Sequence, residues 1–159
     1  MPEDSRRVYA THLARISKSI AVPLRYAYDW CTDFRTDDGK FSRSKPRFQM
    51  LHLSEDRIVR VRRSPPKVKP LKVAVELVRL HPPDAWHVDQ IDEADLETVD
   101  YKLTRLGPKK TRLTLVLVER WMVPNFPPKA DWVKGTKLYW DNLVAALEDR
   151  YRQGLPAQG

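Results

Sequence analysis

The stretch "VDYKLTRLGPKKTRLTLVLVERW", residues 99 to 121, alternates apolar and polar side chains on either side of a single turn. Val99, Tyr101 and Leu103 share one parity, as do Leu113, Leu115 and Leu117, while Asp100, Lys102, Arg112 and Thr114 occupy the other. A period of two puts alternate residues on opposite faces of a sheet, so the stretch predicts a hairpin with one apolar face. Its turn falls at Gly107, Pro108 and Lys109.

Upstream, "RFQMLHL" (47 to 53), "RIVRVRR" (57 to 63), "LKVAVELVRL" (71 to 80) and "AWHVDQI" (85 to 91) have the same strand composition. Turn chemistry separates them at Ser54-Glu55-Asp56, Ser64-Pro65-Pro66, Pro82-Pro83-Asp84 and Asp92-Glu93-Ala94-Asp95. Short connections between consecutive strands predict an antiparallel meander. Before it, "HLARISKSIAV" (12 to 22) reads as a further strand, and Pro23 opens a short helix whose apolar face is Leu24, Ala27, Tyr28 and Cys31. Asp37 and Asp38 cap another brief turn before Gly39. Downstream, "PPKADWVKGTKLYWDNLVAALEDRYRQG" (127 to 154) is a long helix with Val133, Thr136, Trp140, Leu143, Val144, Leu147 and Tyr151 at helical spacing. Pro128 stands near its start and Gly154 at its end. Gly135 costs about 1 kcal/mol against Ala inside a helix, which predicts an irregular first turn or a close neighbour there.

Composition sets the class. The 159 residues are 42% hydrophobic and 31% charged, the balance of a globular protein, and the length is that of one domain, residues 1 to 159. No uncharged apolar run reaches about 18 residues and "MPEDSRRVYA" lacks the apolar core of a secretory signal, so a cytoplasmic location is expected. The lone cysteine, Cys31, rules out an internal disulfide framework, and its place in "LRYAYDWC" favours packing over nucleophilic chemistry.

The order strand, two short helices, six-strand meander and long amphipathic helix, carried by "ISKSIAVPLRYAYDWCTDF" (16 to 34), the hairpin above and "WDNLVAALEDRYRQG" (140 to 154), resembles the helix-grip fold of the START/SRPBCC superfamily. The resemblance covers residues 12 to 153. It implies an α+β fold in which a seven-stranded antiparallel sheet wraps around the C-terminal helix. It also implies an apolar or lipid-like ligand held between sheet and helix. Some members of that superfamily are polyketide cyclase/dehydrase-like enzymes.

Strand parity predicts the same wall. Val59 and Val61 are placed inward, with Val73, Val75 and Leu77, then Trp86 and Val88, Val99 and Tyr101, Leu115 and Leu117. Trp121 and the helical Val133, Thr136, Trp140 and Val144 close the space. In a meander alternate turns share one end, so the loops after strands three, five and seven meet at the mouth, bringing Pro65, Pro66, Lys67 and Lys69 beside Glu93 and Phe126. Six of the thirteen prolines stiffen the first and third of these loops.

The formal charge is +8, and "RIVRVRRSPPKVKPLK" (57 to 72) supplies seven Lys/Arg with no Asp/Glu. The basicity is therefore one patch, with Arg60 and Arg62 expected on the outer face. Three readings stay open: a solvated strand and loop, a docking surface for an acidic protein or anionic membrane, and an RNA-binding or interaction surface. Residues 57 to 72 contain no aromatic side chain on which a base could stack, which counts against nucleic acid.

Motifs for nucleotide cradles, zinc sites and nucleophile elbows are missing, and four dispersed histidines show no ligand spacing, so neither cofactor nor metal is expected. Three groups could carry chemistry. Tyr101 can donate to a ligand oxygen, or bond to backbone. Glu119 continues the Leu113-Leu115-Leu117 face toward the mouth, where desolvation would bring it into general-base range unless a cation pairs it. Arg79 and Arg105 flank Trp86 and would clamp an anion if they point inward; strand-end arginines otherwise bend into water.

Overall fold

The computed structural model describes residues 7–35, 38–41, 45–67 and 71–158. Seven strands form one antiparallel sheet: β1 (Ala10–Ile20), β2 (Arg47–Ser54), β3 (Arg57–Arg63), β4 (Val73–His81), β5 (Ala85–Ile91), β6 (Asp95–Gly107) and β7 (Lys110–Trp121). The order β1-β7-β6-β5-β4-β3-β2 makes the six later strands a meander, which β1 joins by pairing with β7. Helix α1 (Leu24–Cys31) and a 3-10 turn (Asp38–Phe41) follow β1, and helix α2 (Lys129–Arg152) closes the chain. Every element predicted from the sequence among these residues is present.

Pro128, with an extended ψ of 144°, precedes helix α2 as its N-cap, and the helix carries Asp131 in its first turn and Arg150 and Arg152 in its last, each charge matching the helix dipole. It ends where Gly154 adopts φ +70°. There the Leu155 N–H bonds back to Arg150 O at 3.3 Å and Gly154 N–H to Tyr151 O at 3.0 Å, a Schellman ending. Gly135 breaks no turn and nothing approaches the position of an added Cβ within 4 Å, so neither expected cause of its presence is found.

The core lies at one end of the grip. Ile16, Ile20, Val22, Ala27, Leu103, Leu113 and Leu115 pack with Leu143 and Leu147 of α2. Lys18 of β1 forms an ion pair with Asp141 of α2, tying the sheet edge to the helix. Among the described residues no helix is long and apolar enough to cross a membrane.

Parity separates the two halves of the sheet. On β5, β6 and β7 the concave face carries Trp86 and Val88, Val99, Tyr101 and Leu103, and Leu113, Leu115 and Leu117, as predicted. On β3 and β4 the expectation is reversed. Ile58 and Arg60 are buried and Val59 and Val61 half-exposed; Ala74, Glu76 and Val78 are buried while Leu77 is 41% exposed. The register dictates this. Val88 pairs with Val78 and Val78 with Ile58, so the face that Val88 occupies continues onto the even-numbered residues of both strands. Val59, Val61, Val75 and Leu77 therefore belong to the outer face.

Candidate functional site

Between the concave face and α2, along the length of the helix, lies a cavity of about 1160 Å³, above the roughly 300 Å³ lower end of ligand pockets. All five tryptophans, Trp30, Trp86, Trp121, Trp132 and Trp140, line it. Its inner wall is aromatic. Trp86 stacks on Tyr101 with ring centroids 4.7 Å apart and planes 6° from parallel, and Tyr101 meets Trp140 at 5.5 Å. Burial pushes the Tyr101 pKa well above its ordinary value. Its hydroxyl has no hydrogen-bond partner among the described residues, which leaves it free to donate into the cavity.

Toward the mouth the lining changes character along one line of register. His12, Glu119, Glu97, Gln90, Glu76 and Arg60 pair in turn across β1, β7, β6, β5, β4 and β3. One step deeper the corresponding residues are Ala14, Leu117, Val99, Val88, Val78 and Ile58, all apolar. A polar belt thus borders an apolar interior, an arrangement that can orient an amphipathic molecule.

The β3–β4 end of the belt is satisfied. Arg60 donates through Nε to Glu76 and through Nη1 to Asp38 at 2.9 Å, and its guanidinium lies over the Phe48 ring at 4.1 Å. Burial works against the Arg60 charge, but Glu76 and Asp38 outweigh it and raise its pKa. With its amide turned so that nitrogen faces the carboxylate, as its surroundings require, Gln90 donates to Glu76 Oε1 at 3.1 Å and accepts from Arg62 Nη2 at 3.1 Å.

The β6–β7 end is not. Glu97 and Glu119 are direct register partners and both line the cavity. The Trp132 indole of α2 donates to Glu97 Oε2 at 3.3 Å. Glu119 is 3% exposed, and its Oε2 has no partner among the described residues. Burial, and then the nearby Asp92 charge, push its pKa up to about 7; burial raises Glu97 too. Two residues on along the same face, the buried indole N–H of Trp121 also lacks a partner among the described residues. His12 closes the belt, bonded through Nε2 to Pro127 O at 3.1 Å with its ring 5.7 Å from Trp132.

Of the wall residues read from the sequence, Val73, Trp86, Val88, Val99, Tyr101, Leu117, Trp121, Thr136 and Trp140 line the cavity. Leu115 lies in the core and Val133 and Val144 pack against it, Val133 also bordering a shallow depression lined by α2 residues. At the mouth, Pro65 and Glu93 line the opening, whereas Pro66, Lys67 and Phe126 do not; Lys69 lies outside the described residues. No ion pair joins Lys67 to the acidic turn, because Asp92 Oδ1 instead accepts from the backbone of Ala94 and Asp95. Arg79 and Arg105 are exposed, and Arg79 pairs at 3.9 Å with Asp89 on the outer face, so the anion clamp around Trp86 does not form. Cys31 has its pKa pushed by burial to about 12, in keeping with a packing role.

Arg60 and Arg62, expected on the outer face, lie on the cavity wall instead, and Glu76, Gln90, Glu97 and Trp132 were not among the expected site residues. Turn length carried the missing signal. Once Trp86 is inward, the three residues between His81 and Ala85 bring Leu80 opposite it, and Glu76 follows on the same face. The basic segment is consequently divided: Arg60 and Arg62 line the cavity while Arg57 and Arg63 remain outside.

No family model matches the chain, and no curated protein matches it in sequence. Solved structures do match in shape. The Zhui aromatase/cyclase from Streptomyces sp. R1128 superposes with a TM-score of 0.70 at 10% identity, over 89% of this chain and 96% of that one. Ara h 8.0201 gives 0.68 at 8% identity, over 87% and 98%. A START superfamily protein from Mycobacterium smegmatis gives 0.61 at 14% identity, over 89% and 98%. These likenesses show the fold, which is the helix-grip of START/SRPBCC proteins.

Proposed function

We propose that the chain binds a small apolar or lipid-like molecule between the sheet and α2, with the apolar body against Trp86, Tyr101 and Trp140 and the polar end at the belt. The cavity of about 1160 Å³ carries this reading. Solved proteins of the same fold include aromatase/cyclases, so cyclase- or dehydratase-like chemistry is the second reading. It finds less support. Arg79 is outside, and the backbones of Tyr101 and Glu119 stand four residues, about 13 Å, apart in the register, so the three groups do not meet on one atom. An interaction or RNA-binding role for residues 57 to 72 loses the two arginines that face the cavity.

Two measurements test the binding reading. Native mass spectrometry of freshly purified protein should show a co-purified small molecule, or the emptied protein should take up the uncharged dye N-phenyl-1-naphthylamine with quenching of tryptophan emission, since every tryptophan borders the cavity. A protein with neither bound mass nor saturable uptake has no ligand site there.

A further inference from the structure

The belt is acidic although the chain is basic. Glu76, Glu97 and Glu119 stand in it against one guanidinium, Arg60, which is already shared between Glu76 and Asp38. Arg62 faces this region as the only other cation on the concave side of β3, and its guanidinium is engaged by Gln90. At the β6–β7 end two carboxyl groups sit side by side on the cavity wall, the one indole N–H nearby, bonded to Glu97, also favours the Glu119 charge, and the buried Glu119 Oε2 has no hydrogen-bond partner among the described residues. Buried carboxylates call for a cation or a strong donor. Among the described residues no three His, Cys, Asp or Glu side chains converge to hold a metal ion. Trp121 and Trp132 line the same corner and offer ring faces of the kind that attract ammonium groups.

The geometry points to an amine: the molecule that fills the cavity carries a protonated primary or secondary amine, which binds between Glu97 and Glu119 while its apolar body reaches the Trp86–Tyr101 stack. This rests on the binding function proposed above and specifies the class of ligand. An ammonium supplies the charge that both carboxylates lack and two or more donors for their free oxygens. A carboxylic acid or phosphate at this corner would meet like charge. The groups facing the corner are His12 on β1, Arg62 on β3, Asp92 after β5, Asp95 and Glu97 on β6 and Trp132 on α2. With Glu119 titrating at about 7, the preference for amines is complete at pH 8 and weakens toward pH 6.

Three probes with one ring system separate the possibilities: 2-(1-naphthyl)ethylamine, 2-(1-naphthyl)ethanol and 1-naphthylacetic acid, titrated at pH 8 by tryptophan quenching and calorimetry. The amine should bind at least about tenfold more tightly than the alcohol, a margin of one charged hydrogen bond, and the acid most weakly. Glu119→Gln should remove most of that margin by weakening the amine far more than the alcohol; Glu97→Gln serves as the second variant should the first not fold. An amine no tighter than the alcohol, an acid that binds best, or a margin that survives both substitutions overturns the amine assignment and leaves the cavity's binding role standing. Failure of all three probes to bind removes that role, and the assignment with it.

Discussion

Arg60 and Glu76, on adjacent strands, form an ion pair inside the cavity with 8% and 5% exposure. Removing one partner of a buried pair strands a charge, at about 3 to 5 kcal/mol, whereas replacing both by apolar groups of similar volume is near neutral. Glu76→Ala should therefore lower unfolding free energy by about 3 kcal/mol in urea titration. The double variant Arg60→Met/Glu76→Leu should recover most of it, because the remaining Asp38 keeps access to water. A single variant within about 0.5 kcal/mol of the parent, the range of surface changes, would place the pair outside.

The inward parity of β4 has its own signature. Val78 is 1% exposed and Leu77 41%. Val78→Ala should cost about 2 kcal/mol through lost burial and a residual void, while Leu77→Thr on the outer face should stay within about 0.5 kcal/mol. Thermal melts of the two variants decide the order. The reverse order would restore the parity that the sequence alone suggests.

That reversal marks the limit of what the sequence discloses. Elements and their sequence were legible because periodicity and turn chemistry are local: the hairpin around Gly107 and the helix from Pro128 to Gly154 declare themselves within a few residues. Facing was legible where one side of a strand is apolar and the other polar, as on β6 and β7. It failed on β3 and β4, where valines point to solvent and Arg60 and Glu76 point inward to a polar belt. The rule that apolar residues are buried has its exceptions where a site is built, and those are the positions it misassigned. Glu119 was found because it extends an apolar row; Glu97 was hidden because it reads as one more acid in the Asp92-to-Asp95 turn.

Two glycines of the same helix region should respond with opposite sign. Gly135 is helical, and an added Cβ there meets nothing within 4 Å, so Gly135→Ala should raise stability by up to about 1 kcal/mol. Gly154 ends α2 at φ +70°, where an L side chain crowds its own backbone, and Gly154→Ala should cost about 1 kcal/mol. Differential scanning calorimetry of both variants is sufficient; a gain at position 154 would contradict the left-handed ending of the helix.

Glu119 should make stability depend on pH in a direction opposite to that of a salt-bridged acid. Its folded pKa of about 7 lies above the ordinary carboxyl value of 4.5, so between these values the folded protein keeps a proton that the unfolded chain has released. Stability then falls as pH rises through that window: the penalty is absent below about pH 4.5 and complete above about pH 7. At about 1.4 kcal/mol per pH unit it amounts to roughly 3 kcal/mol. Glu119→Gln carries no titrating group, so its stability relative to the parent should climb between pH 5 and pH 8. Comparing the two proteins at each pH cancels His87, whose pKa is also raised and which is bonded to Asp89 and Asp100 in both. Urea midpoints at pH 5, 6, 7 and 8 provide the test. A constant difference would mean that the Glu119 carboxyl is solvated and that the unpartnered corner of the belt does not exist in solution.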